Sequence, residues 1–265
     1  MDEVESLFPS MVWKGATVYL GICILSALKG ILTGDPNDPT LPILSWETPA
    51  THYPEGQSGQ MFLYRSMVPK GHELSMDGVM GYDKCVFLRS CPITILQEGE
   101  KNPLNSKTIW MSDTPMEWYG MGEFSMRLRG PEVLIGGLGL GLIVWHLSNR
   151  HDIKKVVVVE RSKDVIKLCK PNLPTNIQVE VVEDDFISAV PKLERSGAKF
   201  NSAFVDIWIS PTEEWKQVYE DSRMVLEDWY PDIPHYFWGF QQEYEEELLT
   251  SVIRRWNKLN SLEKF

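Results

Sequence analysis

The chain has 265 residues, 43% of them hydrophobic, with ten tryptophans, enough apolar surface for one large domain or for a core with an extension. A formal charge of −11 and a pI near 5.0 argue against tight binding to duplex nucleic acid, where phosphate contacts dominate, though not against a local basic groove. Four scattered cysteines (Cys23, Cys85, Cys91 and Cys169) without any Cys-x-x-Cys indicate neither a zinc site nor a disulfide framework, and no metal is expected.

Residues Ala16 to Leu32 form the first apolar stretch, near the lower length limit for crossing a bilayer and interrupted by Lys29. The acidic start Met1-Asp2-Glu3-Val4-Glu5 is unlike a secretory signal. A buried or interfacial helix is expected ahead of a membrane anchor or a signal, and with it a cytoplasmic setting. Gly34 to Gly59 carries Pro36, Pro39, Pro42, Pro49 and Pro54 and reads as extended loop or linker. Three strand-like pieces follow, Met61–Tyr64, Cys85–Leu88 and Ile93–Leu96, punctuated by Gly and Pro as in a small antiparallel sheet. The expected organisation is an apolar helix and linker over 1–59, a β-rich extension over 60–125, and a nucleotide-binding domain over 126–265.

That last part opens on Val133-Leu134-Ile135-Gly136, a buried strand, followed by a turn with Gly137, Gly139 and Gly141 at alternate positions and then a helix. Glycines there let the backbone approach a ligand closely, and the helix start offers unpaired N–H groups. The β-branched run Val156–Val159 ends in Glu160, 19 residues past Gly141, placed to accept both hydroxyls of a ribose. A helix near Asp164–Lys170 leads to a strand over Ile177–Val182 and the acidic pair Asp184-Asp185 before Phe186. A fourth strand, Ser202–Val205, ends in Asp206; a helix from Thr212 to about Glu227 and a fifth strand over Pro234–Phe240 complete the alternation. The pattern predicts an α/β fold, a Rossmann-like doubly wound parallel sheet, with every acid just named at its carboxyl edge. Gln241 to Leu259 reads as an amphipathic helix; too little chain remains for a seven-stranded sheet, so the sheet is expected to be trimmed at its C-terminal end.

The turn lacks the sixth-position glycine of a dinucleotide site and the Gly-Lys-Ser/Thr of a P-loop. Its Gly-x-Gly-x-Gly, with Glu160 and Asp184-Asp185-Phe186, resembles the class I S-adenosylmethionine-dependent methyltransferases and, within them, the spermidine-synthase-like branch, over about Ile109 to Asp206. Thr108–Tyr119 is similar to the strand and gate segment ahead of the cofactor turn in that branch. Trp110-Met111-Ser112-Asp113-Thr114-Pro115-Met116-Glu117 is also similar to uncharacterised methyltransferase-like proteins, many from phages. The resemblance implies S-adenosylmethionine as cofactor, Gly137, Gly139 and Gly141 facing its methionine end, Glu160 its ribose, Asp185 or Asp184 the adenine amino group, and Phe186 beside the ring. Spermidine synthases carry acids where Leu140 and Ile209 stand here. Methyl transfer to an unidentified acceptor is therefore expected, with aminopropyl transfer or a non-catalytic cofactor-binding module as alternatives.

Asp206 is the one candidate base, the other reading being a hydrogen bond to cofactor or backbone. Ser112, Asp113, Glu117, Trp118 and Trp208 are candidate walls of the acceptor site, although core packing is the first reading for the tryptophans. His146 reads as structural. As an acid at the rim of a strand, Glu160 is expected to matter for ligand binding and little for the core. The acceptor, small molecule or macromolecule, is not identified by the sequence; a homo-oligomer is compatible with it, and a membrane partner is not expected.

Overall fold

The computed structural model describes residues 39–102, 104 and 108–246. The apolar stretch at 16–32, Cys23 and most of the helix expected over 241–259 lie outside the described residues; 241–246 are helical. Twelve strands appear among the described residues: β1 (Thr40–Ile43), β2 (Gly56–Ser58), β3 (Met61–Val68), β4 (Glu73–Ser75), β5 (Lys84–Phe87), β6 (Cys91–Glu98), β7 (Ile109–Ser112), β8 (Glu132–Gly136), β9 (Lys155–Glu160), β10 (Gln178–Glu183), β11 (Ser202–Val205) and β12 (His235–Phe237). The α-helices are α1 (Pro115–Arg127), α2 (Leu142–Ser148), α3 (Lys163–Cys169), α4 (Phe186–Arg195) and α5 (Glu213–Trp229).

The last five strands form one wholly parallel sheet in the order β10-β9-β8-β11-β12. Their apolar residues divide by the two-residue period of a strand. Val133, Ile135, Val156, Val158 and Phe204 face one core with α2 and α3, whereas Leu134, Val157, Val159, Ala203 and Val205 face a second core with α4 and α5. Helices thus cover both faces, which is why strands such as Val156–Val159 read as unbroken β-branched runs rather than alternating ones. The five strands match the expected ones to within a few residues, the fifth being shorter, at His235–Phe237.

Ahead of this sheet lie an antiparallel sheet of order β2-β3-β6-β7 and a three-stranded sheet of order β1-β5-β4, the β-rich part expected from the short strand pieces. The proline-rich stretch differs from the expected linker. Thr40–Ile43 is a strand, Pro49–His52 a 3₁₀ turn and Gly56–Ser58 a strand, and Leu41, Ile43, Trp46, Ala50 and Tyr53 are all buried. Proline is tolerated because β1 is an edge strand, where one side of the backbone needs no partner. The apolar residues between the prolines then fill the same core as the parallel sheet, which runs without a break from Leu41 to Phe204. Among the described residues no helix is long and apolar enough to cross a membrane.

Asp113 holds this junction together. It is fully buried, and its carboxylate accepts from the Thr48 hydroxyl at 2.6 Å, the Thr51 hydroxyl at 3.3 Å and the Thr94 N–H at 2.5 Å. Its carbonyl accepts the Trp46 indole N–H at 2.8 Å. Burial raises its proton affinity, and these donors oppose the rise.

Candidate functional site

A single cleft at the carboxyl ends of β8, β9 and β11 gathers most of the residues singled out in the sequence. Gly137, Gly139, Glu160, Asp185, Phe186 and Asp206 line it; Gly141 and Asp184 do not. Consecutive strand–helix units each deliver one element to that edge because parallel strands all end there.

The glycine turn is built as expected in outline, with a different reason for its glycines. Gly137, Gly139 and Gly141 have φ of 91°, 48° and 70°, the left-handed region. A Cβ on Gly137 would collide with the backbone carbonyl of Asp206, one on Gly139 would lie 2.5 Å from Met111 Sδ, and one on Gly141 2.5 Å from Leu173 Cδ2. The left-handed backbone therefore favours glycine at all three positions, and at Gly137 the Asp206 backbone leaves no room for a Cβ, before any ligand is considered. Gly137 N–H donates to Val159 carbonyl at 2.9 Å, Leu140 N–H to the Met111 thioether at 3.2 Å, and the Tyr53 hydroxyl to the Leu140 carbonyl at 2.9 Å. The turn is clamped between the parallel sheet and the β-rich part.

Glu160 is 7% exposed, and both its oxygens are engaged: Oε2 accepts Leu138 N–H at 2.9 Å and Oε1 accepts Ser162 N–H at 2.7 Å. Each oxygen keeps a further lone pair for a ligand hydroxyl. Asp185 caps α4 by accepting Ser188 N–H at 3.1 Å and stays exposed at the cleft wall. Asp184 turns to Lys192 at 2.6 Å, and that hydrogen bond lowers its pKa. Of the two acids, Asp185 is the one in the cleft. Phe186 is buried against Gly136 and forms part of the cleft wall.

Asp206 follows β11 and has no hydrogen-bond donor to its carboxyl among the described residues; burial pushes its pKa up to about 7. Glu117, in the first turn of α1, is half-buried as a residue, but its Oε2 is wholly enclosed and unpartnered. Burial, then the charges of Asp206 and Asp77, raise its pKa to about 8.

Of the other candidate wall residues only Trp208 lines the cleft, with its indole N–H fixed to the Trp238 carbonyl at 2.9 Å. Trp118 packs on the His146 ring at 3.9 Å between centroids, and His146 is kept neutral by burial, its pKa pushed down to about 4. Ser112 meets Thr114, and Asp113 is the buried knot described above. Trp110 and Met111, placed by the sequence only within a strand and gate segment, line the cleft, as do Arg161 and Ile187, to which it assigned no role. Arg161 directly follows Glu160 at the end of β9 and Ile187 follows Phe186 in the first turn of α4, so their places beside singled-out residues were a usable signal. Arg161 lies over the Trp110 ring at 5.6 Å.

No family model matches the chain, and no curated protein matches it. Among solved structures the chain is similar to a "putative methyltransferase" from Porphyromonas gingivalis W83, with 18% identity, covering 34% of this chain and 22% of that one at a TM-score of 0.28. It is also similar to a "SAM Dependent Methyltransferase" from Agrobacterium tumefaciens, with 13% identity, covering 43% of this chain and 36% of that one at a TM-score of 0.30. The match spans well under half of either of those proteins. The fold is a Rossmann-like α/β fold: counted in chain order, its parallel strands run 3-2-1-4-5. Any more particular assignment rests on the cleft itself.

Proposed function

We propose that the chain is a class I S-adenosylmethionine-dependent methyltransferase whose acceptor enters beside Asp206. The observation that carries this reading is the convergence, in one cleft, of the Gly137–Gly139 turn, Glu160, Asp185 and Asp206 from four strand ends. The donor set fits the cofactor. Glu160 retains free lone pairs for two ribose hydroxyls, Asp185 is an exposed acceptor at the wall, and Val159, Phe186 and Ile187 supply apolar surface for a flat ring.

When bound, S-adenosylmethionine supplies an electrophilic methyl group on sulfur. The chain's part is chiefly positional, since in-line placement of two reactants accounts for much of such a rate. The turn, clamped by Met111 and Tyr53, offers a rigid backbone surface. Trp208, fixed through Trp238, lines the same cleft as Asp206. Asp206, whose pKa of about 7 makes it a usable proton acceptor near neutrality, takes any proton that the acceptor must lose. Leu140 and Ile209 bring no carboxylates where a spermidine synthase has them, which favours methyl over aminopropyl transfer.

Titration calorimetry with S-adenosylhomocysteine and with NAD tests the reading. Saturable binding of the former, undisturbed by NAD, is expected; tighter binding of NAD would overturn it.

A further inference from the structure

Arg161 is a cation for which the positional account above has no use. Of the residues that line the cleft it is the only basic one, against the acids Glu160, Asp185 and Asp206. None of the three takes it as a partner. Glu160 spends both oxygens on backbone N–H groups, and Asp185 caps α4 through Ser188 N–H. The lysines next along the chain are already neutralised: Lys163 Nζ lies 3.3 Å from Glu183 and Lys192 Nζ 2.6 Å from Asp184. Among the described residues no acid lies within ion-pair distance of the Arg161 guanidinium, and no acceptor takes its N–H groups. The guanidinium rests instead over the Trp110 ring, 5.6 Å from its centroid, and the Trp110 indole N–H donates to Glu98 Oε2 at 3.1 Å. Trp110 belongs to β7 of the antiparallel sheet and Arg161 follows β9 of the parallel one, so the pair joins the two walls of the cleft.

A guanidinium over an aromatic face keeps its in-plane N–H edge for an acceptor, and that planar fork matches two oxygens of a carboxylate or phosphate. The three carboxylates of the cleft repel the same anion elsewhere. We infer that Arg161, carried on Trp110, is the subsite for an oxyanion, carboxylate or phosphate, borne by the methyl acceptor. This deepens, and rests on, the methyltransferase reading. Arg161 is exposed whereas Glu160 beside it is buried, which sets the guanidinium on the solvent side of the site, where a second ligand enters. The separation of charge fixes the acceptor's direction, with its oxyanion at the end of β9 and its reacting atom beside Asp206, after β11. Those strands flank β8 and lie two strand spacings, roughly 10 Å, apart. The acceptor is therefore an elongated acid whose charge is remote from the methylated atom. Arg161 touches no reacting atom; it orients the molecule that carries one. The cofactor's own carboxylate is the other source of this chemistry, and the two are separable.

The test is ¹⁵N NMR on protein labelled at arginine and tryptophan side chains, titrated with sodium acetate or inorganic phosphate while sodium chloride holds the ionic strength constant. With S-adenosylhomocysteine bound, both anions are expected to move the Arg161 Nε–H and Trp110 indole N–H signals to saturation. Arg161→Gln should abolish the Trp110 response. Arg161→Lys, which keeps the charge and loses the fork, should weaken binding by roughly fivefold or more. An equal response to chloride, or a Trp110 response that survives Arg161→Gln, would overturn the oxyanion subsite. 5′-Methylthioadenosine, which has no carboxylate, separates the two sources. If acetate binds beside that ligand and fails to bind beside S-adenosylhomocysteine, the anion is the cofactor's and the acceptor assignment falls. Failure of both nucleosides to bind would remove the methyltransferase reading and the acceptor with it, whereas the acetate titration of ligand-free protein still decides the oxyanion subsite.

Discussion

Glu160 Oε2 accepts the backbone N–H of Leu138 at 2.9 Å, so the acid that closes β9 is bolted to the glycine turn that follows β8. Its other oxygen holds Ser162 N–H at 2.7 Å, at the start of α3. The residue expected from the sequence to serve a ligand alone also holds its own loop in place.

Glu160→Ala should therefore fail twice. Two N–H groups lose their acceptor, at about 1–3 kcal/mol for each that stays buried, and the melting temperature should drop. Affinity for S-adenosylhomocysteine should fall by about tenfold or more, since charge-assisted hydrogen bonds to a ribose contribute about 1.5–3 kcal/mol. Calorimetric melting and ligand titration on one preparation separate the two losses. A variant that melts like the wild type would show that the Leu138 and Ser162 N–H groups find other acceptors.

The three turn glycines should respond differently to alanine. Gly137→Ala meets backbone, the Asp206 carbonyl, and should destabilise by about 3 kcal/mol or more. Gly139→Ala meets a side chain, Met111 Sδ, beyond the strain of about 1–2 kcal/mol from its positive φ. Adding Met111→Ala should recover part of the second loss and none of the first. Chemical denaturation of the two single variants and their doubles gives the coupling directly.

Asp113→Ala should lower stability on the order of 3 kcal/mol, because the Thr94 N–H is left buried without an acceptor and two threonine hydroxyls lose theirs. The cleft is not lined by Asp113, so affinity for S-adenosylhomocysteine in the folded fraction should change little. A parallel loss of affinity would make the β-rich part a direct contributor to the binding surface.

Stability should fall as pH rises from about 6.5 to 8. Glu117 near 8 and Asp206 near 7 are raised above their unfolded values, so the native state binds more protons across that window and loses the advantage as they ionise. The slope is at most about 1.4 kcal/mol per pH unit per proton. His146, lowered to about 4, acts in the opposite sense and only below about 6.5, where its unfolded form gains a proton. Melting curves at pH 6.5 and 8 for wild type and Asp206→Asn measure the difference. The variant should show a flatter profile, and an equal slope would count against a buried Asp206.

The parallel sheet was legible because its signals are local: a β-branched run, a glycine turn and an acid at a strand end each occupy adjacent residues. The cleft was legible for the same reason, one segment at a time. What the sequence concealed was set by contacts between distant segments. Asp113 reads as a candidate wall of the acceptor site until Thr48 and Thr51, more than sixty positions earlier, turn out to be its donors. Proline spacing in 39–59 outweighed Leu41, Ile43, Trp46 and Tyr53, whose burial depends on surfaces formed much later in the chain. Glu117 and Asp206 carry no shared motif, and the burial that raises the pKa of each depends on segments far apart in the chain.

The collision that forbids a side chain at Gly137 has an evolutionary edge as well. Because a Cβ there would meet the Asp206 carbonyl, the turn and the residue that follows the fourth parallel strand pack as one unit. Descendants of this chain are not free to adjust one while conserving the other. On the methyltransferase proposal, a substitution that moves Asp206 to suit a new acceptor should carry the turn with it, so changes of specificity are expected to arise instead at Trp110, Arg161 and Trp208.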